Sequence, residues 1–252
     1  MTDVNNSLVK IDASGIYYRD LNTRLREIVS NGTGKIELRN VHGQRYIGTD
    51  LDKPVEIKIF GTPGNDLGAF MNGPRITVHG NAQDGCGNTM NDGEIIVHGH
   101  AGDTVGLSAR GGKIFVREDV GYRAGIHMKE YQEKVATLVI GGTAQDFVGE
   151  YMAGGILIIL GINRGEKNTH RAKYIGTGMH GGVIYIRGSV EDYQLGAEVG
   201  VAELEEEDQQ VLQKLVGEFA GHFGYKADEI INNDFIKLYP RSLRPYGRLY
   251  AY

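Results

Sequence analysis

The sequence predicts an all-β fold, a right-handed β-helix or solenoid of about seven coils with short flanking α-helices. The first observation is a set of aliphatic strand cores that begin at residues 57, 76, 95 and 114, a constant step of 19. The second is that Gly68, Gly87, Gly106 and Gly125 keep the same step. Two residue classes with one period are typical of stacked repeats, in which each coil buries its apolar face against its neighbours.

The repeat continues beyond residue 125 if two insertions are allowed. Further strand cores then begin at Leu138, Leu157 and Ile184. Along each strand core, every second residue is aliphatic. Equivalent aliphatic residues of successive coils therefore form two columns on the inward face, which we call the inward ladders. A left-handed hexapeptide helix is excluded because no aliphatic residue recurs at every sixth position, and a larger right-handed β-helix is favoured. An earlier, looser coil is indicated around Ile36, followed by Gly48.

Both ends of the chain break the period, and this defines three predicted regions. Residues 1–34 form an N-terminal helical cap, residues 35–190 the β-helix, and residues 191–252 a C-terminal helix and tail. Apolar spacing predicts one amphipathic helix from about Tyr18 to Ser30 and another from about Ala202 to Phe223, each capping or packing on the solenoid. Residues 162–174 are predicted to protrude as a polar loop. The tail from residue 238 is aromatic and basic, and is expected to wrap the surface or bind a partner.

Composition narrows the classes of partner and compartment. The chain has 252 residues with a formal net charge of -5, which argues against nucleic acid and anionic membranes as partners. Its longest apolar run, residues 156–160, is far too short to span a membrane, and no secretory leader is recognisable. A single cysteine, Cys86, excludes an internal disulfide and a cysteine-ligated metal cluster on this chain. We therefore expect a soluble cytoplasmic protein.

Two short motifs resemble known ligand-binding patterns but are better explained by the solenoid. Residues 176–181 match the dinucleotide pattern G-x-G-x-x-G, yet a strand follows where a helix is required, which favours a solenoid corner. His79 and His98 lie one coil apart on an outward ladder. With no third ligand beside them, stacking is favoured over a metal site.

Acidic and thiol groups are interpreted in the same way. Aspartates recur near turns at residues 66, 84, 103 and 146, where they are expected to bond to local amides rather than cleave sugars as an acid and nucleophile pair. Cys86 has no basic neighbour in sequence, so a passive thiol is expected. The sequence predicts no catalytic residue, metal ligand or cofactor ligand on this chain.

Charged and aromatic residues nevertheless cluster at three corners beyond what a corner requires. Mixed clusters of this type are typical of protein interfaces, although a solvated loop is the competing interpretation. The candidate partner interface consists of Arg123, His127, Lys129, Glu150, Tyr151, Met152, Met179 and His180.

The same stretches carry a family resemblance. Residues 61–68, 80–85, 121–129, 149–155 and 176–188 resemble the C-terminal β-helix domain of glutamate synthase large subunits, the family named for its GXGXG repeats. The similarity spans nearly the whole chain. Related domains occur in N-methylglutamate synthase and in the C subunit of formylmethanofuran dehydrogenase.

This resemblance implies a free-standing version of one domain of a split enzyme. In the family, an amidotransferase domain releases ammonia from glutamine, and 2-oxoglutarate is converted to glutamate at FMN beside an iron–sulfur cluster. The present chain lacks the N-terminal nucleophilic cysteine, so it is expected to be a non-catalytic subunit that docks a glutaminase-type amidotransferase and an FMN synthase subunit. Three alternatives remain open: a subunit of N-methylglutamate synthase, a subunit of formylmethanofuran dehydrogenase, and a β-helix enzyme acting on carbohydrates. Association between copies of the chain also stays open.

Overall fold

The computed structural model describes residues 5–163 and 170–242. A short 3₁₀ turn spans Asp192–Gln194. In chain order the other elements are β1 (Asn5–Asp12), α1 (Tyr18–Ser30), β2 (Thr33–His42), β3 (Glu56–Thr62), β4 (Asn72–His79), β5 (Asp92–Val97), β6 (Lys113–Val116), β7 (Glu130–Tyr131), β8 (Lys134–Val135), β9 (Thr137–Ile140), β10 (Ala153–Ile159), β11 (Gly181–Arg187), β12 (Val199–Ala202), α2 (Glu206–Phe223), α3 (Ala227–Ile231) and β13 (Phe235–Pro240).

The predicted β-solenoid is confirmed. In the described ranges, nine strands stack in parallel in the order β1-β2-β3-β4-β5-β6-β9-β10-β11, each bonded to the next. The seven predicted coils correspond to β3 through β11 without the small β7-β8 hairpin, and β2 is the looser earlier coil. The structure adds β1, which the sequence did not predict because α1, rather than a glycine corner, connects it to β2. The right-handed sense stays a prediction.

Equivalent residues of successive coils lie directly opposite one another, as the repeat requires. Ile57 pairs with Ile76, Ile76 with Ile95, and Ile95 with Ile114. Both predicted inward ladders are buried throughout. Each fully buried aliphatic side chain contributes roughly 1.5–3 kcal/mol relative to exposure, so the stack of coils builds the core that one coil lacks.

Each coil turns at a corner in which three alternate residues adopt left-handed backbone conformations. In one corner they are Arg123, Gly125 and His127, with φ of 56°, 73° and 55°. The outer two donate their amides to carbonyls of the following coil, at 3.1 and 3.0 Å, whereas Gly125 donates to Val105 of the preceding coil at 2.7 Å. These bonds hold residues with side chains in a conformation that normally favours glycine. The corner therefore joins three coils through the backbone.

At every described corner except that of Gly106, a Cβ added to the central glycine would overlap a core side chain. A Cβ added at Gly87 would overlap Cδ1 of Ile114, an inward ladder residue of a later coil. The outer positions direct their side chains away from the core. The sequence repeat of single glycines thus marks the middle of each corner.

The helix α1 has the predicted bounds and completes the first coil. Its apolar face, formed by Leu21, Leu25 and Val29, is buried in the same core as the inward ladders. Asn22 is also buried and donates from Nδ2 to the carbonyl oxygen of Arg45 at 2.8 Å. This helix therefore packs into the N-terminal coils as the connection between β1 and β2.

The helix α2 packs on the outer face of the sheet rather than on an end of the solenoid. Leu215, Val216 and Phe219 are buried against the outward residues Phe115 and Val139. It begins at Glu206, later than predicted, because Ala202 belongs to β12. The ion pair between Lys113 and Glu218, 2.6 Å from Nζ to Oε2, adds a polar contact to β6. No helix within the described ranges is long and apolar enough to cross a membrane.

Strand β13 closes the C-terminal end by pairing antiparallel with β11, and β12 then pairs antiparallel with β13. A buried polar contact holds this end together. Asp208 of α2 accepts hydrogen bonds from the Tyr185 hydroxyl, from Lys237 Nζ at 2.8 Å and from the Glu205 amide at 2.9 Å. Burial opposes ionisation of Asp208, but the hydrogen bonds from Lys237 and Tyr185 outweigh it and lower the pKa of the carboxyl. Burial and the bond to Asp208 raise the pKa of Tyr185.

We expect Gly87→Ala to be more destabilising than Gly106→Ala. Both glycines have nearly the same φ, 71° and 70°, so the backbone strain is matched at about 1–2 kcal/mol. Only at Gly87 does the added methyl overlap the ladder, because the nearest atoms at Gly106 lie 3.7 Å away. Overpacking should add about 1–3 kcal/mol to the cost at Gly87. Urea unfolding of both variants measures the difference, and equal losses of stability would contradict the corner geometry.

We expect Asp208→Asn to lower the free energy of unfolding at pH 7 by about 2–3 kcal/mol, because Lys237 loses its nearest and most buried anionic partner and keeps only Glu205, 3.8 Å away. Since the folded pKa of Asp208 is depressed, its contribution is complete above the unfolded pKa of about 3.9 and is lost as the pH falls below that value. The deficit of the variant should therefore shrink at pH 3. Urea titrations at both pH values test this, with the exposed Glu206→Gln on the same turn as control.

Candidate partner interface

Three consecutive corners bring part of the predicted interface together on one edge of the solenoid. Arg123 and His127 belong to one corner, Tyr151 to the next, and Tyr174 to the third. All four have positive φ, between 51° and 58°. Because equivalent positions of adjacent coils lie in register, their side chains form two short columns on the surface. We call Arg123, His127, Phe147, Tyr151 and Tyr174 the aromatic corner.

The first column is a stack of a cation on two rings. The guanidinium carbon of Arg123 lies 4.9 Å from the centroid of the Phe147 ring. Phe147 in turn stacks on Tyr174, with centroids 4.8 Å apart and planes inclined by 10°. Contacts of this kind stabilise by about 0.5–1.5 kcal/mol each. The column therefore holds its side chains in one arrangement before any partner binds.

The second column pairs His127 with Tyr151, whose rings are stacked at 5.4 Å and 11°. Glu150 links the two columns: its Oε2 accepts from Arg123 Nε at 3.0 Å, and its backbone carbonyl accepts from the His127 amide at 3.0 Å. The Glu150 side chain is mostly covered, whereas the Arg123 side chain is half exposed. The surface thus presents a cation and four stacked rings over an already paired carboxylate.

Lys129 and His180 lie just beyond the corners, each two residues past the last left-handed position. Lys129 is half-buried, and its amide donates to the Ala109 carbonyl at 3.0 Å. His180 is also half-buried, with Nδ1 3.2 Å from the Gly178 carbonyl oxygen. Both residues lie next to the aromatic corner in the sequence, but neither takes part in its stacked contacts.

The structure corrects the expectation for Met152 and Met179. Both are buried, with 0% and 1% of their surface exposed. They follow the corner at a position that faces inward, where an unbranched thioether fills the narrow space beside the corner glycine. The internal ladder to which they belong also contains Leu51, Met71, Met90, Ala109 and Met128. Their side chains therefore cannot contact a partner on this surface.

Sequence reasoning left Phe147 and Tyr174 out of the site. Each precedes its corner glycine, Gly149 or Gly176, by two residues, as Arg123 precedes Gly125. The sequence repeat therefore contained the information needed to find them. Residues two positions before a corner glycine share the left-handed conformation, and their side chains face outward. Aligning the corners by their glycines would have found both rings.

The other candidate motifs are structural. Gly176 and Gly178 take positive φ in a corner that leads into β11, which confirms the interpretation of residues 176–181. His79 stacks on His98 at 5.0 Å, as expected, and burial lowers the pKa of both imidazoles. The described part of the chain contains no group of three potential metal-ligating side chains. Desolvation raises the pKa of the buried Cys86 thiol to about 12, which fits a passive thiol.

The turn aspartates bond to amides, but those amides belong to the following coil rather than to the local turn. Asp84 accepts from the Asp103 amide at 2.9 Å, and Asp103 from the Tyr122 amide at 2.8 Å. Asp146 likewise accepts from the Lys173 amide at 2.8 Å. Asp66 accepts from the Asn88 side chain at 3.0 Å. Each of these carboxylates links one coil to the next, so their role is to stabilise the stack.

Two further predicted features lie partly or wholly outside the described residues. The loop at 162–174 is described only at its two ends, and the tail only as far as residue 242. Residues 238–240 of that tail are the last three residues of β13. Lys173 and Tyr174, at the end of the loop, enter the third corner.

Comparison with known proteins agrees with this architecture. A family model described as the GXGXG motif matches residues 24–243, which includes the aromatic corner. Uncharacterized protein MJ1350 of Methanocaldococcus jannaschii is 51% identical over 251 residues, a match that covers 96% of each chain. On the repeat, the corners and this match, the chain belongs to the GXGXG motif family.

Proposed function

We propose that the chain is a non-catalytic assembly subunit of a split glutamate synthase, which makes glutamate from glutamine and 2-oxoglutarate. In this proposal it docks a glutaminase-type amidotransferase subunit and an FMN synthase subunit. The observation that carries the proposal is the aromatic corner, a preorganised surface on a scaffold whose interior is filled by its own ladders. Family membership supports the parent enzyme.

The aromatic corner has the chemistry of a protein-binding surface. About half of Tyr151 and half of Tyr174 are exposed, at 47% and 50%. Tyrosine and arginine dominate the energetics of protein interfaces. Stacking and left-handed backbone already restrict these side chains, so binding costs less conformational entropy than it would for mobile side chains.

The chemistry of the reaction is proposed to reside on the partner subunits. An iron–sulfur cluster is held by several cysteine thiolates. This chain has one cysteine, and Cys86 is buried with a raised pKa. Its residues therefore do not fit the cluster, and the proposal places FMN and the iron–sulfur centre on the synthase subunit and the nucleophilic cysteine on the amidotransferase subunit.

No specific observation favours the carbohydrate-active alternative. Such an enzyme would require two carboxyl groups about 5–9.5 Å apart on either side of a sugar. The aspartates that suggested it are instead occupied by hydrogen bonds within the solenoid. The aromatic corner would serve equally well in an N-methylglutamate synthase or a formylmethanofuran dehydrogenase, and only reconstitution separates these parents.

We expect the full chain to form a complex with the amidotransferase and FMN synthase subunits of its own organism and to promote glutamine-dependent glutamate formation. Tyr151→Ala should weaken assembly by at least about 30-fold, or about 2 kcal/mol, because it removes a central aromatic contact. Phe70→Ala is the matched control, since Phe70 occupies the same corner position with φ 60° and 49% exposure. Light scattering of the mixed chains and glutamate formation provide the two readouts.

Different failures of this experiment carry different meanings. Absence of a complex with either subunit would contradict the proposed parent enzyme. A complex that Tyr151→Ala and Phe70→Ala affect equally would retain the parent and reject the aromatic corner as its docking surface. Glutamine hydrolysis by the isolated chain would contradict the non-catalytic assignment.

A further inference from the structure

The two ends of the solenoid are protected very differently. At the C-terminal end the chain reverses direction, and the edge of the sheet is β12, a strand of only 4 residues. At the N-terminal end the edge is β1, which has 8 residues and pairs only with β2 within the described ranges. A long open edge is a template for another strand, and natural proteins usually shorten or cover it. The N-terminal edge therefore requires an explanation.

The side chains of β1 show what kind of strand would fit. Leu8, Lys10 and Asp12 point outward and are exposed, whereas Ile11 is buried in the core. Leu8 is 49% exposed, which is large for an aliphatic residue on a strand. An incoming strand would cover part of this surface while completing the backbone hydrogen bonds of the edge.

Charge is matched between successive rungs elsewhere in the stack. On β2, Glu37 lies opposite Lys10 and Arg39 lies opposite Asp12. A column further along the sheet alternates in sign through five rungs. Its members are Lys35, Glu56, Arg75, Glu94 and Lys113. By this rule the rung beyond β1 should carry an acid opposite Lys10 and a base opposite Asp12.

We propose that a second copy of the chain supplies this rung, through antiparallel pairing of the two β1 strands about a two-fold axis normal to the sheet. Such an axis keeps outward residues outward, so Lys10 can face Leu8, Lys10 or Asp12 of the second copy. Facing Lys10 would oppose two like charges, and facing Leu8 would leave the charges unmatched. The register that places Lys10 opposite Asp12 forms two identical opposite-charge pairs. The two-fold axis relates these pairs, because Lys10 of each copy faces Asp12 of the other.

Asp12 is prepared for this contact. Its Oδ1 accepts from the Ser14 hydroxyl at 2.6 Å and from Asn40 Nδ2 at 3.0 Å. The Ser14 and Asn40 hydrogen bonds lower the pKa of Asp12 to about 2, so it stays ionised at any ordinary pH. Head-to-head pairing also uses up the open edge, whereas head-to-tail stacking would continue into a fibre. A closed dimer is thus the assembly that the two unequal ends support.

The inference is independent of the proposed enzyme complex. The family match begins at residue 24, so β1 lies outside the region that it describes. The aromatic corner belongs to the seventh, eighth and ninth strands of the parallel stack, at the opposite end from β1. Dimerisation through β1 would therefore leave the aromatic corner accessible to other subunits.

Sedimentation velocity of the full chain, from micromolar to near-millimolar concentration, should show a reversible dimer. Lys10→Asp should weaken the dimer by at least about tenfold, because it places like charges opposite each other twice. The double variant Lys10→Asp, Asp12→Lys should restore it, since the pairs are exchanged. Lys58→Asp is the matched control, because Lys58 is exposed in the same outward column two rungs away.

A monomer at every concentration would overturn the proposal. So would a dimer that Lys10→Asp and Lys58→Asp weaken to the same degree, because the contact would then lie elsewhere or depend on net charge. Asp12→Lys also removes the bonds to Ser14 and Asn40, so thermal melting must verify that the double variant folds. If it does not fold, the comparison of Lys10→Asp with Lys58→Asp decides alone.

Discussion

The structure depends on the left-handed corner and the hydrogen bonds that it makes to the coils on either side. In the corners between Asp66 and Tyr151, three alternate amides bond in turn to the following coil, the preceding coil and the following coil again. This arrangement fixes each coil along the solenoid axis relative to both neighbours. The inward ladders stay aligned because the corners allow no slip, and the ladders in turn bury enough apolar surface to hold the corners in a conformation that side chains otherwise avoid.

The same constraint separates the residues that build the fold from those that are free for binding. The central position of each of these corners is glycine, and the position after the corner faces inward, where most coils have a methionine. The two outer corner positions accept varied side chains, because their backbone is held by bonds that do not involve the side chain; the exceptions are Gly85 and Gly178, where an added Cβ would clash. Function can therefore vary at these positions without cost to the core. In this chain three adjacent corners use that freedom for Arg123, His127, Phe147, Tyr151 and Tyr174.

The outer face of the sheet shows how the solenoid positions elements that lie outside the repeat. One outward column is polar at Glu37, Lys58 and Thr77 and becomes apolar from Ile96 onward. The apolar section is the surface that α2 covers. Beyond it, Asp208 ties the start of α2 to β11 and β13 through Tyr185 and Lys237. The helix thus protects the later coils, and the first coils are left with a polar outer face and an open edge.

Much of the fold is determined by the sequence by itself, because a solenoid repeats its contacts in sequence as well as in space. The step of 19 residues, the inward ladders and the bounds of α1 all follow from local periodicity. About half of the candidate site was also predictable, since Arg123, His127, Glu150 and Tyr151 stand out at the corners.

Only the tertiary structure decided the remainder. It placed Met152 and Met179 inside, added Phe147 and Tyr174 to the site, put α2 on a flank, and extended the sheet with β1 and β13. These outcomes depend on which way a residue faces within a corner and on where a non-repeating segment returns to the stack. The sequence period reports contacts between equivalent residues of successive coils. It contains no information about contacts made by segments that do not repeat.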